Sequence, residues 1–242
     1  MNSTAAFELL LLGTPSVERQ GGSRLSGRVT QRHRVALLAL LAAAPDGRLS
    51  RDKLIAYLWP ESGPERGRNL LNVATYVLRS ALGEAALLSS GDDLRLNAAL
   101  VRPDIAEFSA ALARQDYARA VALYRGPFLD GFFLSDASEF EHWVDAERER
   151  LAGEYRQALE ALAQTAEERR DFTQAVEFWK RLAAHDPYDS RVALRLMQAL
   201  EASGNRAGAL QHGATHQRRL HEEFEIASAP QITTYAEQVR NT

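Results

Sequence analysis

The chain of 242 residues has no cysteine, which excludes disulfides and thiolate zinc sites. It also lacks any apolar run long and pure enough to span a bilayer. The apolar stretch at residues 7–13 has neither a basic n-region nor a small-residue cleavage site, so it reads as a strand and not as a signal peptide. A Gly-rich phosphate loop is missing, and serine, histidine and aspartate form no recognisable nucleophile motif. The chain is therefore read as not an enzyme, without a cofactor and without a membrane partner. A soluble cytoplasmic protein is the simplest inference.

Strong net charge is absent too. The total of −3 hides an asymmetry: 12 Lys and Arg stand against 9 Asp and Glu through Asn97, and 17 against 23 beyond it. Opposite signs in the two parts suggest two domains with different partners. The weak positive excess of the first part points to nucleic acid only if placement concentrates it.

Short apolar pieces broken by Gly13-Thr14-Pro15 and Gly21-Gly22 predict a small antiparallel sheet at the start. Arg24, Arg28, Arg32 and Arg34 follow it. Val35, Leu37, Leu38, Leu40 and Leu41 mark a first long helix over residues 30–44, ended by Pro45-Asp46-Gly47. Ser50 caps a second helix, with Leu49 and Leu54 spaced as a hydrophobic staple, and that helix stops at Pro60. Residues 61–64 are a turn. A third helix then runs over residues 65–83. After Gly83, two short apolar pieces around Gly91-Asp92 read as a β-hairpin. Sheet, three helices and hairpin in about a hundred residues make a winged helix-turn-helix, in which the third helix enters the major groove.

That third helix has two faces. Leu71, Ala74, Leu78 and Ala81, widened by Leu70, Val77 and Leu82, recur at helical steps and are expected to be buried. Arg68, Asn72, Thr75, Tyr76 and Arg79 recur on the other side. Arginine and asparagine have the forked geometry that reads guanine and adenine, and threonine and tyrosine hold phosphates. Arg66 and Asn69, near the helix start, are added to this DNA-binding set, although Asn69 also suits satisfying backbone groups. Taken alone, the pattern more commonly belongs to an amphipathic helix with a solvated polar face; the helix-turn-helix frame favours DNA.

From Asp104 the pattern is helical. Asp104 is expected to cap a helix through Leu112, with further helices over residues 117–124, 140–168 (one long helix, or a pair broken near Gly153), 172–184, 190–202 and 206–223, and a last capping helix over 230–240. Asp171-Phe172-Thr173-Gln174-Ala175 and Asn205-Arg206-Ala207-Gly208-Ala209 lie 34 residues apart, and Asp116-Tyr117-Ala118-Arg119-Ala120 is an earlier copy. This spacing predicts a tetratricopeptide-like stack, since single helix pairs cannot bury their apolar faces alone. The fold class is therefore mainly α: a winged helix over residues 1–100, then an all-α repeat domain over 101–242. His212 and His216 have metal-ligand spacing, but no third ligand is evident and no metal is expected. The charged run over residues 139–150 reads as a solvated face. The aromatic run over 126–134 packs the domains or lines a groove for a partner segment.

Several pieces, in order, carry a resemblance to a known family. They are Gln31-Arg32 leading into Ala36-Leu37-Leu38-Ala39-Leu40-Leu41, then Leu49-Ser50-Arg51-Asp52-Lys53-Leu54, Leu58-Trp59-Pro60, Arg68-Asn69-Leu70, Leu78-Arg79 and Ala81-Leu82-Gly83. Tyr124-Arg125-Gly126-Pro127-Phe128-Leu129 and Leu194-Arg195-Leu196-Met197-Gln198-Ala199-Leu200 continue it. With them the chain resembles the AfsR/DnrI-type transcriptional activators, or antibiotic regulatory proteins. In these an OmpR-type winged helix precedes a bacterial transcriptional activator domain built on tetratricopeptide repeats. The resemblance implies an activator that binds promoter repeats in double-stranded DNA and recruits RNA polymerase, with a repeat domain for self-association as a homodimer or for signal input. It makes Trp59, Glu61, Ser62 and Glu65 the polymerase-contact candidates. Arg28, Arg32, Arg51 and Arg95 are the candidates for the DNA backbone. The chain departs from the family at the wing tip, where Asp92 and Asp93 follow Gly91 and disfavour phosphate contact. An alternative reading is a protein-interaction adaptor whose winged helix does not bind DNA.

Overall fold

The computed structural model describes residues 5–226 and 229–241. The chain forms two compact units, Met1–Ala152 and Gly153–Thr242. The architecture is mainly helical, with small sheets confined to the first unit.

In the first unit, β1 (Phe7–Leu10) runs antiparallel to β2 (Ser16–Arg19). Phe7 and Leu9 are buried while Glu8 and Leu10 are half-buried, the alternation of a strand with one covered face. A 3-10 turn at Gly27–Thr30 leads into α1 (Arg32–Ala43), so the helix begins two residues later than its apolar pattern predicts. Every residue from 35 to 41 is buried. A helix apolar on all sides belongs at the centre of a core, and α1 packs against the helices and hairpin that follow it.

Next come β3 (Arg48–Ser50), α2 (Arg51–Leu58) and α3 (Pro64–Leu82). The Ser50 hydroxyl accepts a hydrogen bond from Lys53 N–H, the cap expected from sequence. The hairpin is β4 (Leu87–Ser90) and β5 (Asp93–Leu96), turning at Gly91-Asp92. Its third strand, β3, pairs antiparallel with β5, Leu49 opposite Leu94. Three residues are too few to show an alternation, so this strand left no mark in the sequence.

The unit continues with β6 (Val101–Pro103), α4 (Asp104–Ala113), α5 (Tyr117–Leu123) and the start of α6 (Ser138–Glu168). Two expectations change here. The first sheet is mixed, because β6 joins it parallel to β1 with Phe7 opposite Val101. Asp104 does not cap α4. Its buried carboxylate instead accepts hydrogen bonds from the N–H groups of Leu11 (2.8 Å) and Leu12 (3.1 Å), and pairs with Arg125 at 3.1 Å. Burial pushes that carboxyl above its ordinary value, against the pull of the two N–H groups and of Arg125. The run over residues 126–134 returns to β1's end through an antiparallel bridge between Leu12 and Phe128, and both Phe128 and Leu129 are fully buried. That part of the run is packing, whereas Phe133 is 55% exposed and, with Leu134, lines a cavity beside Glu61. These ties explain why compact packing divides the chain at residue 152, well past the sequence boundary near residue 100.

Helix α6 is unbroken through Gly153. In the second unit, α7 (Phe172–His185), α8 (Ser190–Ala202) and α9 (Arg206–Phe224) pack in sequence, and α10 (Pro230–Asn241) covers the end with Ile232, Ala236 and Val239 buried. The repeating motif is a capping device. Asp171 accepts from Gln174 N–H and Asn205 from Gly208 N–H, as Asp116 accepts from Arg119 N–H in the first unit. Trp179 is fully buried and its indole N–H donates to Glu167 at 2.8 Å. His216 spends both ring nitrogens locally, on the Ser190 hydroxyl at 2.9 Å and the Pro187 carbonyl at 3.1 Å. Among the described residues no helix is long and apolar enough to cross a membrane.

Candidate nucleic-acid interface

Helix α3 starts with Pro64 behind Gly63 and ends at Gly83, whose φ of +100° suits glycine and whose N–H reaches the Arg79 carbonyl. Its inner face is Gly67, Leu71, Ala74, Thr75, Leu78 and Leu82. Gly67 is what lets α3 lie against α2: a methyl group there would sit 2.5 Å from Ile55 Cγ2. The outer face presents Arg66, Arg68, Asn69, Asn72, Val73, Tyr76 and Ser80.

Thr75 therefore belongs to the inner face, contrary to the sequence expectation. It is 3% exposed, and its hydroxyl donates to the Leu71 carbonyl at 2.8 Å. A threonine can be buried in a helix because it satisfies its own hydroxyl on the turn before. Val73 joins the outer arc, where its apolar side chain gives no polar signal in the sequence.

Arg79 is also reassigned. Its guanidinium donates from Nε and Nη2 to the Leu87 carbonyl at 2.9 and 2.7 Å, and from Nη2 to the Ser89 hydroxyl at 3.0 Å. β4 is an edge strand, and Arg79 supplies donors that its carbonyl lacks. Arg51, at the start of α2, completes the brace by donating to Asn72 Oδ1 (3.1 Å) and to the Ser89 hydroxyl (3.3 Å). Helix α2, helix α3 and the wing are thus locked by two arginines and one serine. Asn72 keeps an outward amide N–H₂ while its oxygen is held.

The other cations separate into two groups. Arg66 and Arg68 are exposed and make no ion pair or hydrogen bond among the described residues, and the Asn69 side chain makes none either. Arg28 lines a shallow groove of about 520 Å³ beside Tyr76, Val77 and Ser80, joined there by Arg19, which sequence reading did not single out. Arg32 donates to the Phe133 carbonyl at 3.0 Å yet stays exposed. Arg95 turns elsewhere. Leu94 and Leu96 point inward, so Arg95 faces out of β5, and its Nε donates to the Asp46 carbonyl at 3.1 Å beside Pro103 and Ile105. It does not join the cations near α3. At the wing tip Asp93 pairs with Arg48 at 3.4 Å, and the Asp92 carbonyl accepts from Arg51 N–H.

In the turn between α2 and α3, Glu61 is exposed and Ser62 is half-buried, its N–H bonded to the Trp59 carbonyl, and Glu65 is exposed in the first turn of α3. Trp59 is not a projecting contact residue. Its ring stacks on His33 with centroids 5.3 Å apart and planes 1° from parallel, and it is half-buried. Burial, with Arg34 alongside, lowers the His33 pKa, partly opposed by a hydrogen bond to the Leu58 backbone. Glu61 borders a cavity of about 550 Å³ with Phe133, Asp136 and Glu141.

Residues 93–240 match the family model described as "Bacterial transcriptional activator domain". Comparison with curated proteins returned no match. Among solved structures the chain is similar to Mycobacterium tuberculosis EmbR in complex with a low affinity phosphopeptide, at 21% identity and a TM-score of 0.66. That likeness covers 98% of this chain and 66% of the other, so the chain spans about two thirds of its length. At such identity the likeness speaks to fold, and it extends over both the winged helix and the helical repeats. With a winged helix-turn-helix ahead of the matched region, the chain belongs to the bacterial transcriptional activator domain family, in the arrangement of the AfsR/DnrI-type regulators.

Proposed function

We propose that the protein binds double-stranded promoter DNA sequence-specifically, with α3 in the major groove, and activates transcription by recruiting RNA polymerase. Residues 1–100 serve as the DNA-binding module and residues 101–242 as the activator module, which provides self-association or signal input. The observation that carries this reading is the outer face of α3: Arg66, Arg68 and Asn69 are exposed and uncommitted, on a helix held against α2 and the wing by Arg51 and Arg79. A preorganised helix with free forked donors is what base reading requires. Arg19 and Arg28 flank it at the groove beside Tyr76, suited to phosphates, and Arg32 remains exposed. Glu61, exposed on the turn before α3, and Glu65, exposed in its first helical turn, are the surface assigned to polymerase.

The test is a titration of promoter duplexes from the chain's own genomic neighbourhood at two salt concentrations. Wild-type affinity is expected to fall steeply with salt, as released counterions demand. Replacing Arg68 and Asn69 by alanine is expected to abolish preference among duplexes while the melting temperature holds. Salt-independent binding, or unchanged preference in that variant, would sink the assignment. Glu61→Ala with Glu65→Ala should leave DNA affinity intact and reduce transcription in vitro.

A further inference from the structure

Val73 is 55% exposed and Tyr76 is 72% exposed, both on the outer arc of α3. Single apolar residues on a surface are ordinary, but Val73 occupies a particular place. It stands one helical turn after Asn69, immediately after Asn72 and three residues before Tyr76, so three side chains with polar groups surround one that has none. Val73 can neither hydrogen-bond a base edge nor hold a phosphate. On the major-groove edges of the four base pairs the one apolar feature is the 5-methyl group of thymine.

We infer that Val73 packs against the 5-methyl group of a thymine, so that the sequence recognised by α3 must contain a thymine within about two base pairs of the one reached by Asn69. The inference rests on the DNA-reading assignment of α3. The Asn69 side chain makes no hydrogen bond among the described residues, so its amide oxygen and nitrogen are both free for the N6 and N7 atoms of adenine. Asn72 differs, its oxygen being held by Arg51 at 3.1 Å. One turn of helix advances about 5.4 Å, less than two base-pair rises of about 3.4 Å each. The thymine therefore lies within about two base pairs of the adenine, on either strand. Tyr76, one step further along the same arc and beside Arg28, reaches toward the adjoining backbone.

The test removes the methyl group and nothing else. The full chain first enriches duplexes from a random library, and each thymine of the enriched sequence is then replaced singly by deoxyuridine. Fluorescence anisotropy is expected to show about a fourfold weakening at one or two positions, the weight of one buried methyl group, and none at the rest. Val73→Ala should bind the thymine duplex about as weakly as wild type binds its deoxyuridine partner, and should not distinguish the two. Alanine at an exposed helical position favours the helix, so folding is not at stake. Equal binding of every deoxyuridine duplex overturns the inference, and so does a deoxyuridine penalty that persists in Val73→Ala. Those results leave the DNA reading of α3 standing. Failure to enrich any duplex removes the DNA reading and this inference with it.

Discussion

Replacing Gly67 by alanine adds one methyl group where α3 lies against α2. The new carbon would stand 2.5 Å from Ile55 Cγ2, whereas carbon atoms settle at about 3.5–4.0 Å. Ile55 cannot swing away cheaply, because a β-branched side chain in a helix is held to essentially one χ1 rotamer. Overpacking of this kind costs about 1–3 kcal/mol, and the helix gains roughly 1 kcal/mol when alanine replaces glycine in its interior. The single substitution should therefore be neutral to destabilising by about 2 kcal/mol. The decisive quantity is the change of sign. In an Ile55→Ala background the obstructing carbon is gone, and Gly67→Ala should then stabilise by about 1 kcal/mol. The coupling between the two positions is thus expected at about 1–3 kcal/mol. Urea unfolding followed by tryptophan fluorescence measures it, with Trp179→Phe in every variant so that the signal comes from Trp59 and Trp143 in the first unit. If Gly67→Ala stabilises equally with and without Ile55, close packing of α2 on α3 is not what Gly67 provides.

Other substitutions separate reading from bracing and test the core. Thr75→Val, which keeps the shape of a buried side chain and removes a hydroxyl bonded to its own helix, should change operator affinity by no more than about twofold, below the ~1–3 kcal/mol of a base-reading contact. A larger loss would return Thr75 to the DNA face. Asp104→Asn replaces one acceptor oxygen by a donor and leaves Leu11 or Leu12 N–H unpaired in the core. It should cost about 1–3 kcal/mol in urea unfolding, and a cost near zero would mean that water reaches those groups. His33, held below its ordinary value of 6.5, takes up a proton more readily when unfolded. Its contribution to stability is therefore full above that value and declines as the pH falls through it toward the lower folded pKa. His185 and His212 are lowered by burial too and act in the same direction. His33→Phe keeps the stack on Trp59 without the titration, so its melting temperature should drop less than wild type between neutral and mildly acidic pH; an equal drop would show that His33 does not contribute.

What could be seen in the sequence, and what could not, follows the range of the interactions involved. Residues 35–41 are apolar without interruption, and a buried central helix follows from that alone. Ser50 acts within its own turn, so its cap was legible from spacing, and the repeat spacing of Asp171 and Asn205 marks two further local caps in the structure. Gly83 was legible for the same reason. Contacts made across the chain were not. Asp104 looks like a helix cap because it precedes a helical pattern, yet its partners, Leu11 and Leu12, lie more than ninety residues earlier. β3 is three residues long and exists because β5 offers it a ladder.

Helix α3 shows both regimes side by side. Its apolar stripe was readable, since Leu71, Ala74 and Leu78 repeat at the helical period and are all buried. Its polar side is less exposed than polarity alone suggests, Thr75 being buried. Position along the helix is the better guide. Thr75 lies one residue beyond Ala74 and one turn before Leu78, and at that angle a side chain is buried whatever its chemistry, provided its hydroxyl finds the Leu71 carbonyl. Val73 lies on the opposite arc and is exposed although apolar. Arg79 sits between the two, where no angle decides; its role is set by an edge strand eight residues further on, whose Leu87 carbonyl needs donors. Once Arg79 and Arg51 are assigned to holding the helix, the proposed reading of bases falls to Arg66, Arg68, Asn69, Asn72 and Val73. That division makes chemical sense: a guanidinium fixed by two hydrogen bonds gives a neighbouring side chain a defined position, which a mobile one on the same surface would lack.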